Sequence, residues 1–293
     1  MKEIVIISGK GGTGKTSLTA SFALLAQNAV LADCDVDAAD LHLILTPNIQ
    51  KKHEFWSGVE AIIDPALCTN CGACLNLCRF DAIKETNGAF HIDPTACEGC
   101  GVCARFCPKG AVRLEKRLCG AWMVSDTRAG PMVHARLGIA AENSGRLVST
   151  VRQEARRVAE ETKRDMILID GPPGIGCPVI ASISGASAAL IVTEPTPSGE
   201  HDLLRALELT RHFKVPAFIC VNKWDIAPEK AEQIEKQALA NGATVLGRIR
   251  YDKGVTQAQK QAKAVIETDT PSASDIKGLW KHFQQQMEKE NQP

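Results

Sequence analysis

Short apolar runs alternate with longer amphipathic stretches over most of the chain. Residues 3–8 read as a buried strand, Gly9–Gly14 as a tight loop and residues 16–27 as a helix, with a second apolar run at 30–32. This is the opening of a βαβ unit. The alternation returns later, with helical periodicity at 147–162, 200–212 and 228–240 between apolar runs at 166–169, 188–192, 217–221 and near Val245. Such a pattern predicts an α/β fold, a mostly parallel sheet covered by helices, because parallel strands need crossover connections. Near the C-terminus Ile276, Leu279, Trp280, Phe283 and Met287 fall on one helical stripe, which is expected to cover the sheet.

Between these blocks, from about Gly58 to Lys116, the pattern changes to turn residues and cysteines, with little long helical periodicity. The segment repeats itself at an offset of 29 residues: Asp64-Pro65 recurs as Asp93-Pro94, Cys68 as Cys97, Gly72 as Gly101 and Ala82-Ile83 as Ala111-Val112. It reads as a domain, 58–116, inserted into a discontinuous α/β domain made of 1–57 and 117–293.

Composition narrows the chemistry. With 293 residues, 44% of them hydrophobic, the chain can bury one sizeable core and a smaller satellite. Basic and acidic residues balance at 34 each, which leaves no electrostatic footprint for nucleic acid. The apolar N-terminal run Ile4–Ile7 is too short for a signal-peptide core, and no run approaches a membrane span, so a cytoplasmic location is expected and membrane association is not. Twelve cysteines in such a chain argue for metal or redox chemistry rather than disulfides.

Eight of them form two runs of one spacing, C-x2-C-x2-C-x3-C: Cys68, Cys71, Cys74, Cys78 and Cys97, Cys100, Cys103, Cys107, the second followed by Pro108. In this arrangement three close thiolates hold one [4Fe-4S] cluster and the fourth reaches the other cluster. The implied sets are Cys68, Cys71, Cys74 and Cys107 for cluster 1, and Cys97, Cys100, Cys103 and Cys78 for cluster 2. Tetrahedral zinc is the competing reading of paired CxxC motifs, disfavoured by four cysteines per run with a three-residue last gap. The segment resembles bacterial two-cluster ferredoxins over its whole length. Arg79 departs from that pattern, standing where the family carries proline.

Gly9-Lys10-Gly11-Gly12-Thr13-Gly14-Lys15-Thr16 satisfies G-x4-G-K-[ST] between a strand and a helix. Its glycines let backbone N–H groups close around phosphate, Lys15 neutralises charge, Thr16 offers an oxygen to Mg²⁺, and Ser17 completes the set. Further acids and turns punctuate the strand ends: Asp33-Cys34-Asp35-Val36-Asp37 through Asp40, Asp170-Gly171-Pro172-Pro173-Gly174, and Asn222-Lys223-Trp224-Asp225.

With Lys10, the GKGGxGKT form resembles the deviant Walker A of the MinD, Mrp and nitrogenase iron protein superfamily. The resemblance covers essentially the whole chain and is nearest to members containing an inserted ferredoxin domain. It implies that Lys10 reaches a partner subunit's nucleotide across an ATP-dependent dimer. By the same resemblance Asp35 orients the attacking water, Asp40 is a second switch position, Asp170 sits in the magnesium shell, Gly174 donates an N–H to the γ-phosphate and Asn222 lies against adenine. Read alone, Asn222-Lys223-Trp224-Asp225 would suggest guanine; the family points to ATP. Solvated loop acids remain the plain reading of Asp37 and Asp40.

Cys177 follows Asp170 by seven residues, the spacing of a bridging-cluster ligand in the nitrogenase iron protein; the second ligand would fall near Glu142 or Asn143, neither a thiol. A packed or reactive thiol is the expected reading of Cys177. Core packing is expected of Cys34 and Cys220, and packing or a hinge of Cys119. Ser144 is expected to cap a helix that begins around Leu147, and His134 and His201 have no ligand partner at helical spacing. These features together predict a slow, partner-stimulated ATPase with Mg²⁺ and two [4Fe-4S] clusters, coupling nucleotide state to electron transfer. It would act as a homodimer, or a heterodimer with a related ATPase, beside a redox or iron–sulfur partner protein. An Mrp-type cluster carrier and a MinD-type positioning switch are the alternatives.

Overall fold

The structure, a computed structural model, describes residues 1–138 and 143–289. The chain begins β1 (Lys2–Ser8), α1 (Lys15–Ala26), β2 (Ala29–Asp33), α2 (Leu41–Leu45) and β3 (Asn48–Ile63). It passes through α3 (Ala73–Leu77), β4 (Ile83–Thr86), β5 (Ala89–Ile92), α4 (Val102–Arg105), β6 (Val112–Thr127) and β7 (Gly130–Leu137). Then follow α5 (Ser144–Glu161), β8 (Met166–Pro173), α6 (Cys177–Ile183), β9 (Ala188–Thr193), α7 (Pro197–His212) and β10 (Ala217–Asn222). The chain closes with α8 (Pro228–Ala240), β11 (Thr244–Ile249), α9 (Lys253–Lys260) and α10 (Pro271–Lys289). Two compact units emerge: Met1–Lys52 with Trp122–Arg136 and Ser144–Pro293, and His53–Ala121 with Leu137–Asn143.

The large sheet has the order β11-β10-β9-β1-β8-β2-β7-β6-β3. Its seven strands from β11 to β7 are mutually parallel, and β1 lies between β8 and β9. Strands buried on both faces need apolar side chains throughout, which is why Ile4–Ile7 and Ala188–Val192 read as continuous runs. A tight turn at Thr127–Gly130, where Thr127 Oγ1 donates to the Gly130 carbonyl at 2.7 Å, joins β6 to β7. The stripe on α10 is buried as expected: Phe283 stacks on Phe22 and meets Phe218 edge-on, with ring centroids 6.2 and 5.2 Å apart. Among the described residues no helix is long and apolar enough to cross a membrane.

Hydropathy alone does not announce β3, whose residues Asn48–Glu54 are all exposed. Helix α5 begins at Ser144 itself, so that residue lies within the helix rather than capping a start near Leu147.

In the second unit the 29-residue repeat becomes a pseudo-twofold exchange. The Asp64 N–H donates to the Ala111 carbonyl, and its counterpart Asp93 donates to Ala82, both at 2.7 Å. The carboxylates of Asp64 and Asp93 each accept the N–H two residues on, from Ala66 and Thr95, both at 2.9 Å. Left-handed residues recur in the same places, Gly72 with Gly101 before the short helices and Asn70 with Gly99 in the cysteine loops. At Gly99 an added Cβ would sit 2.1 Å from the Val59 carbonyl oxygen, so close approach of backbone excludes any side chain there.

Candidate functional site

In the first unit the loop after β1 opens at the carboxyl ends of the parallel strands, where connections diverge to either side of β1 and ligands of such sheets bind. A cavity of about 390 Å3 is lined there by Gly11–Ser17, with Ser8, Asp35, Ala38, Asp40, Pro173 and Gln259. Gly12 and Gly14 adopt left-handed conformations with φ 81° and 88°, and α1 starts at the next residue, Lys15. A loop of this kind presents unpaired N–H groups at a helix N-terminus, which is an anion cradle. An added Cβ at Gly14 would lie 2.5 Å from Asn222 Nδ2.

The buried Lys15 ammonium stands 3.2 Å from Asp35 Oδ2 and 3.6 Å from Asp170 Oδ1. Burial alone would lower its pKa, but the charges of Asp170 and Asp35 hold it above the ordinary lysine range. Asp170 also accepts a 3.0 Å hydrogen bond from Thr19, while its second oxygen has no protein partner. Asp33, in register with Asp170 across β2 and β8, is fully buried. One of its oxygens accepts the Asp35 N–H at 3.3 Å and the other is unpartnered. Burial, and then the charge of Asp170, push the Asp33 carboxyl well above its usual range, and burial raises Asp35. Three carboxyls thus face one lysine, a donor set with spare acceptor capacity that suits a nucleotide accompanied by a divalent cation.

The β10 end braces the loop from behind. Asn222 Nδ2 donates to the Thr13 carbonyl at 2.7 Å and Lys223 Nζ to the Gly12 carbonyl at 3.2 Å. Asp225 accepts the Tyr251 N–H at 2.6 Å, and Gln259 donates to Ser17 at 2.8 Å.

Several expected contacts fall elsewhere. The Gly174 N–H donates to the Ser8 carbonyl at 2.8 Å, because the β1–β8 pairing extends past Pro173, so it is not a free donor for phosphate. The Asn222 amide is spent on the loop and on the Lys223 N–H rather than facing the cavity as a base contact would. Gly9, Lys10 and Asp170 also stand outside the cavity lining, Asp170 fully buried beside Lys15. Asp33 and Lys223 stand inside the quoted acid and Asn-Lys-Trp-Asp motifs without a role of their own, and no local pattern marks Glu194 or Gln259.

In the second unit the eight cysteines divide between two hollows. One is lined by Cys68, Cys71, Cys74 and Cys107. The other is lined by Cys78, Cys97, Cys100 and Cys103. Around Cys107 burial, which raises a thiol, is outweighed by backbone N–H groups from Lys109 to Val112, and its pKa is lowered; Ala111 N lies 3.2 Å from its sulfur. Burial raises Cys74 and Cys103. Among the described residues no three or more His, Cys, Asp or Glu side chains converge as single-ion ligands.

Cys34, Cys119 and Cys220 are buried, Cys119 with its thiol 3.0 Å from the Ser57 carbonyl. Cys177 is exposed and packs near Gly145 at the start of α5. Of the positions considered beside it, Glu142 lies outside the described residues. His134 is buried on Ser125 at 2.8 Å, and burial lowers its pKa to about 4.

A parallel sheet with a glycine loop between β1 and α1, a buried loop lysine and acids at neighbouring strand ends define a P-loop nucleotide-binding protein. Residues 4–265 match the CobQ/CobB/MinD/ParA nucleotide-binding domain, and the chain belongs to that family. It is 37% identical over 225 residues to an uncharacterised protein of Methanocaldococcus jannaschii, covering 75% of this chain and 78% of the relative. A second uncharacterised protein of that organism is 24% identical over 263 residues, 78% of this chain and 84% of the relative. Among solved structures, the cell-division ATPase MinD of Pyrococcus furiosus superposes with a TM-score of 0.55 at 18% identity, over 97% of this chain and 98% of that one. MinD in the MinC:MinD complex of Aquifex aeolicus gives 0.57 at 18% identity, over 97% and 96%. At these identities the structural likeness is one of fold.

Proposed function

We propose that the protein binds and hydrolyses ATP with Mg²⁺, and that nucleotide state and dimerisation are coupled to electron transfer through two [4Fe-4S] clusters in an inserted ferredoxin domain. The observation that carries the redox half is the division of the cysteines: each hollow collects three thiols of one run and the last thiol of the other. Cys68, Cys71, Cys74 and Cys107 would hold one cluster, and Cys97, Cys100, Cys103 and Cys78 the other, supplying one-electron storage. The fit is supported by the unit itself. Neither α3 nor α4 buries a single residue, so the cysteine loops lack the apolar core that would otherwise order them.

In the nucleotide half, backbone N–H groups of Gly11–Lys15 bind phosphate oxygens and Lys15 neutralises their charge. The Thr16 hydroxyl and Asp170 would hold Mg²⁺. Asp35, lining the cavity beside Lys15, orients a water for attack. ATP as the nucleotide is supported by the family and by the Pyrococcus horikoshii MinD structure, described as a complex with Mg-ADP.

A second reading, a positioning switch without redox chemistry, is favoured by the structural neighbours, which include cell-division and plasmid-partition proteins. Anaerobic purification with iron and sulfide counting, then EPR of the reduced protein with ATP and with ADP, separates the two. About eight irons per chain and a signal that differs between nucleotides are expected of the redox reading. Iron-free protein that dimerises fully on ATP would favour the switch.

A further inference from the structure

The loop lysine Lys10 is held in a way that its place in the phosphate loop does not require. Its ammonium lies 3.3 Å from Glu194 Oε2, 3.3 Å from Thr196 Oγ1 and 3.2 Å from Ser198 Oγ. An ammonium has three donors, so these three acceptors satisfy it completely. All three lie on the segment that leaves β9 and enters α7, and none lines the nucleotide cavity. A lysine on a flexible four-carbon stem beside a phosphate loop would otherwise fold onto the strongest nearby anion, the phosphate of its own chain.

The anchor is itself braced. The other carboxylate oxygen of Glu194 pairs with Lys223, whose ammonium also donates to the Gly12 carbonyl at 3.2 Å. Thr196 caps α7 by accepting the Gly199 N–H at 3.0 Å. Where the segment passes Gly9, an added Cβ would stand 2.2 Å from Asp202 Cβ, so the two backbones are in direct contact. Glu194 therefore links three strand ends: the β1 loop through Lys10, the β9 end on which it stands and the β10 end through Lys223. The Lys10 side chain nonetheless keeps 31% of its surface in solvent, against 13% for Glu194, so the held ammonium stays accessible from outside.

We infer that Glu194 is the positioning residue for Lys10, holding the ammonium off its own chain's nucleotide and available to the nucleotide of a second copy of the chain. The inference rests on the dimeric reading given above. Transfer of Lys10 from the carboxylate to a partner's phosphate exchanges one charge-assisted contact for another, so a preset orientation lowers the ordering required at dimerisation.

The test is a double-mutant cycle in the full chain, read by sedimentation equilibrium with Mg²⁺ and a non-hydrolysable ATP analogue, together with steady-state ATPase kinetics. Glu194→Ala is expected to weaken the dimer about tenfold, as loss of one charge-assisted hydrogen bond would, and to lower kcat with KM changed by less than about twofold. Lys10→Ala should weaken it at least as much, and the double variant no more than Lys10→Ala alone, since the two residues act as one device. Glu194→Gln, which keeps shape and one acceptor, should fall between Glu194→Ala and the parent, and serves if the alanine variant unfolds. Multiplying effects in the double variant, or a parent-like dimer in both Glu194 variants while Lys10→Ala weakens it, would overturn the inference. A parent-like Lys10→Ala dimer would remove the dimeric reading beneath it, which is a different result.

Discussion

The two units reach order by opposite routes. In the first, strands buried on both faces are covered by α1 and α10 on one side and by α5 and α6 on the other, and Phe22, Phe218, Trp280 and Phe283 form a continuous aromatic centre. In the second, the buried apolar side chains among the described residues include Phe55, Ala61, Ala82, Ile83, Phe90, Ala111 and Val112, while Leu67, Leu77, Phe80 and Phe106 are exposed. The first unit has a core and places charge at its strand ends for chemistry. The second gathers its eight cysteines at two hollows, and on the proposed reading its order and its chemistry would depend on the same residues.

That contrast can be broken experimentally, and the largest effect is expected from iron. On the proposed reading, chelation or oxidative loss of the two clusters should abolish hydrogen-exchange protection over residues 64–121 and leave β1, β8 and β9 protected. Equal loss in both units would show that the second has no separate source of order. Next, Phe283→Ala removes a fully packed ring from the first unit and is expected to lower its stability by about 4 kcal/mol. Denaturant unfolding should register that change, with visible cluster absorbance unchanged in native buffer.

Lys15→Met leaves Asp35 and Asp170 facing each other without a cation, for a loss of about 3 kcal/mol near neutral pH. The sign follows from protonation. Acids raised in the folded state, as Asp33 and Asp35 are, cost stability as pH rises through their unfolded value of 3.8. The deficit of the variant should therefore shrink on acidification toward that value, and a pH-independent deficit would mean the lysine acts by packing. The smallest effect belongs to His134, whose pKa falls from 6.5 to about 4 on folding. It should withdraw about 1.5 kcal/mol as pH drops from 6.5 to about 5, because the unfolded chain binds the proton first. His134→Gln should flatten that part of the stability profile.

Much of both units was legible in the chain. The phosphate loop is contiguous, and each βα alternation reports its own burial, so α1, α8 and the strands around them lie close to where hydropathy puts them. The grouping of Cys78 with Cys97 and of Cys107 with Cys68 was implied by the resemblance of both runs to two-cluster ferredoxins, in which the fourth cysteine of a run serves the other cluster. What escaped notice was exposed or distant. The edge strand β3 has no apolar face over Asn48–Glu54, and Glu194 acquires meaning only where β9 delivers it beside Lys10.

The sequence by itself determined the main βα alternation of the parallel sheet, the loop that meets phosphate and the two cysteine runs, because these depend on neighbours within a few residues or on one repeated spacing. Tertiary structure decided which groups share a site. Placing β1 between β8 and β9 sets Asp170 beside Lys15, consumes the Gly174 N–H on Ser8 and brings Glu194 to Lys10. No local pattern encodes those meetings, since strand order is the sum of many weak packing contributions spread over the whole sheet.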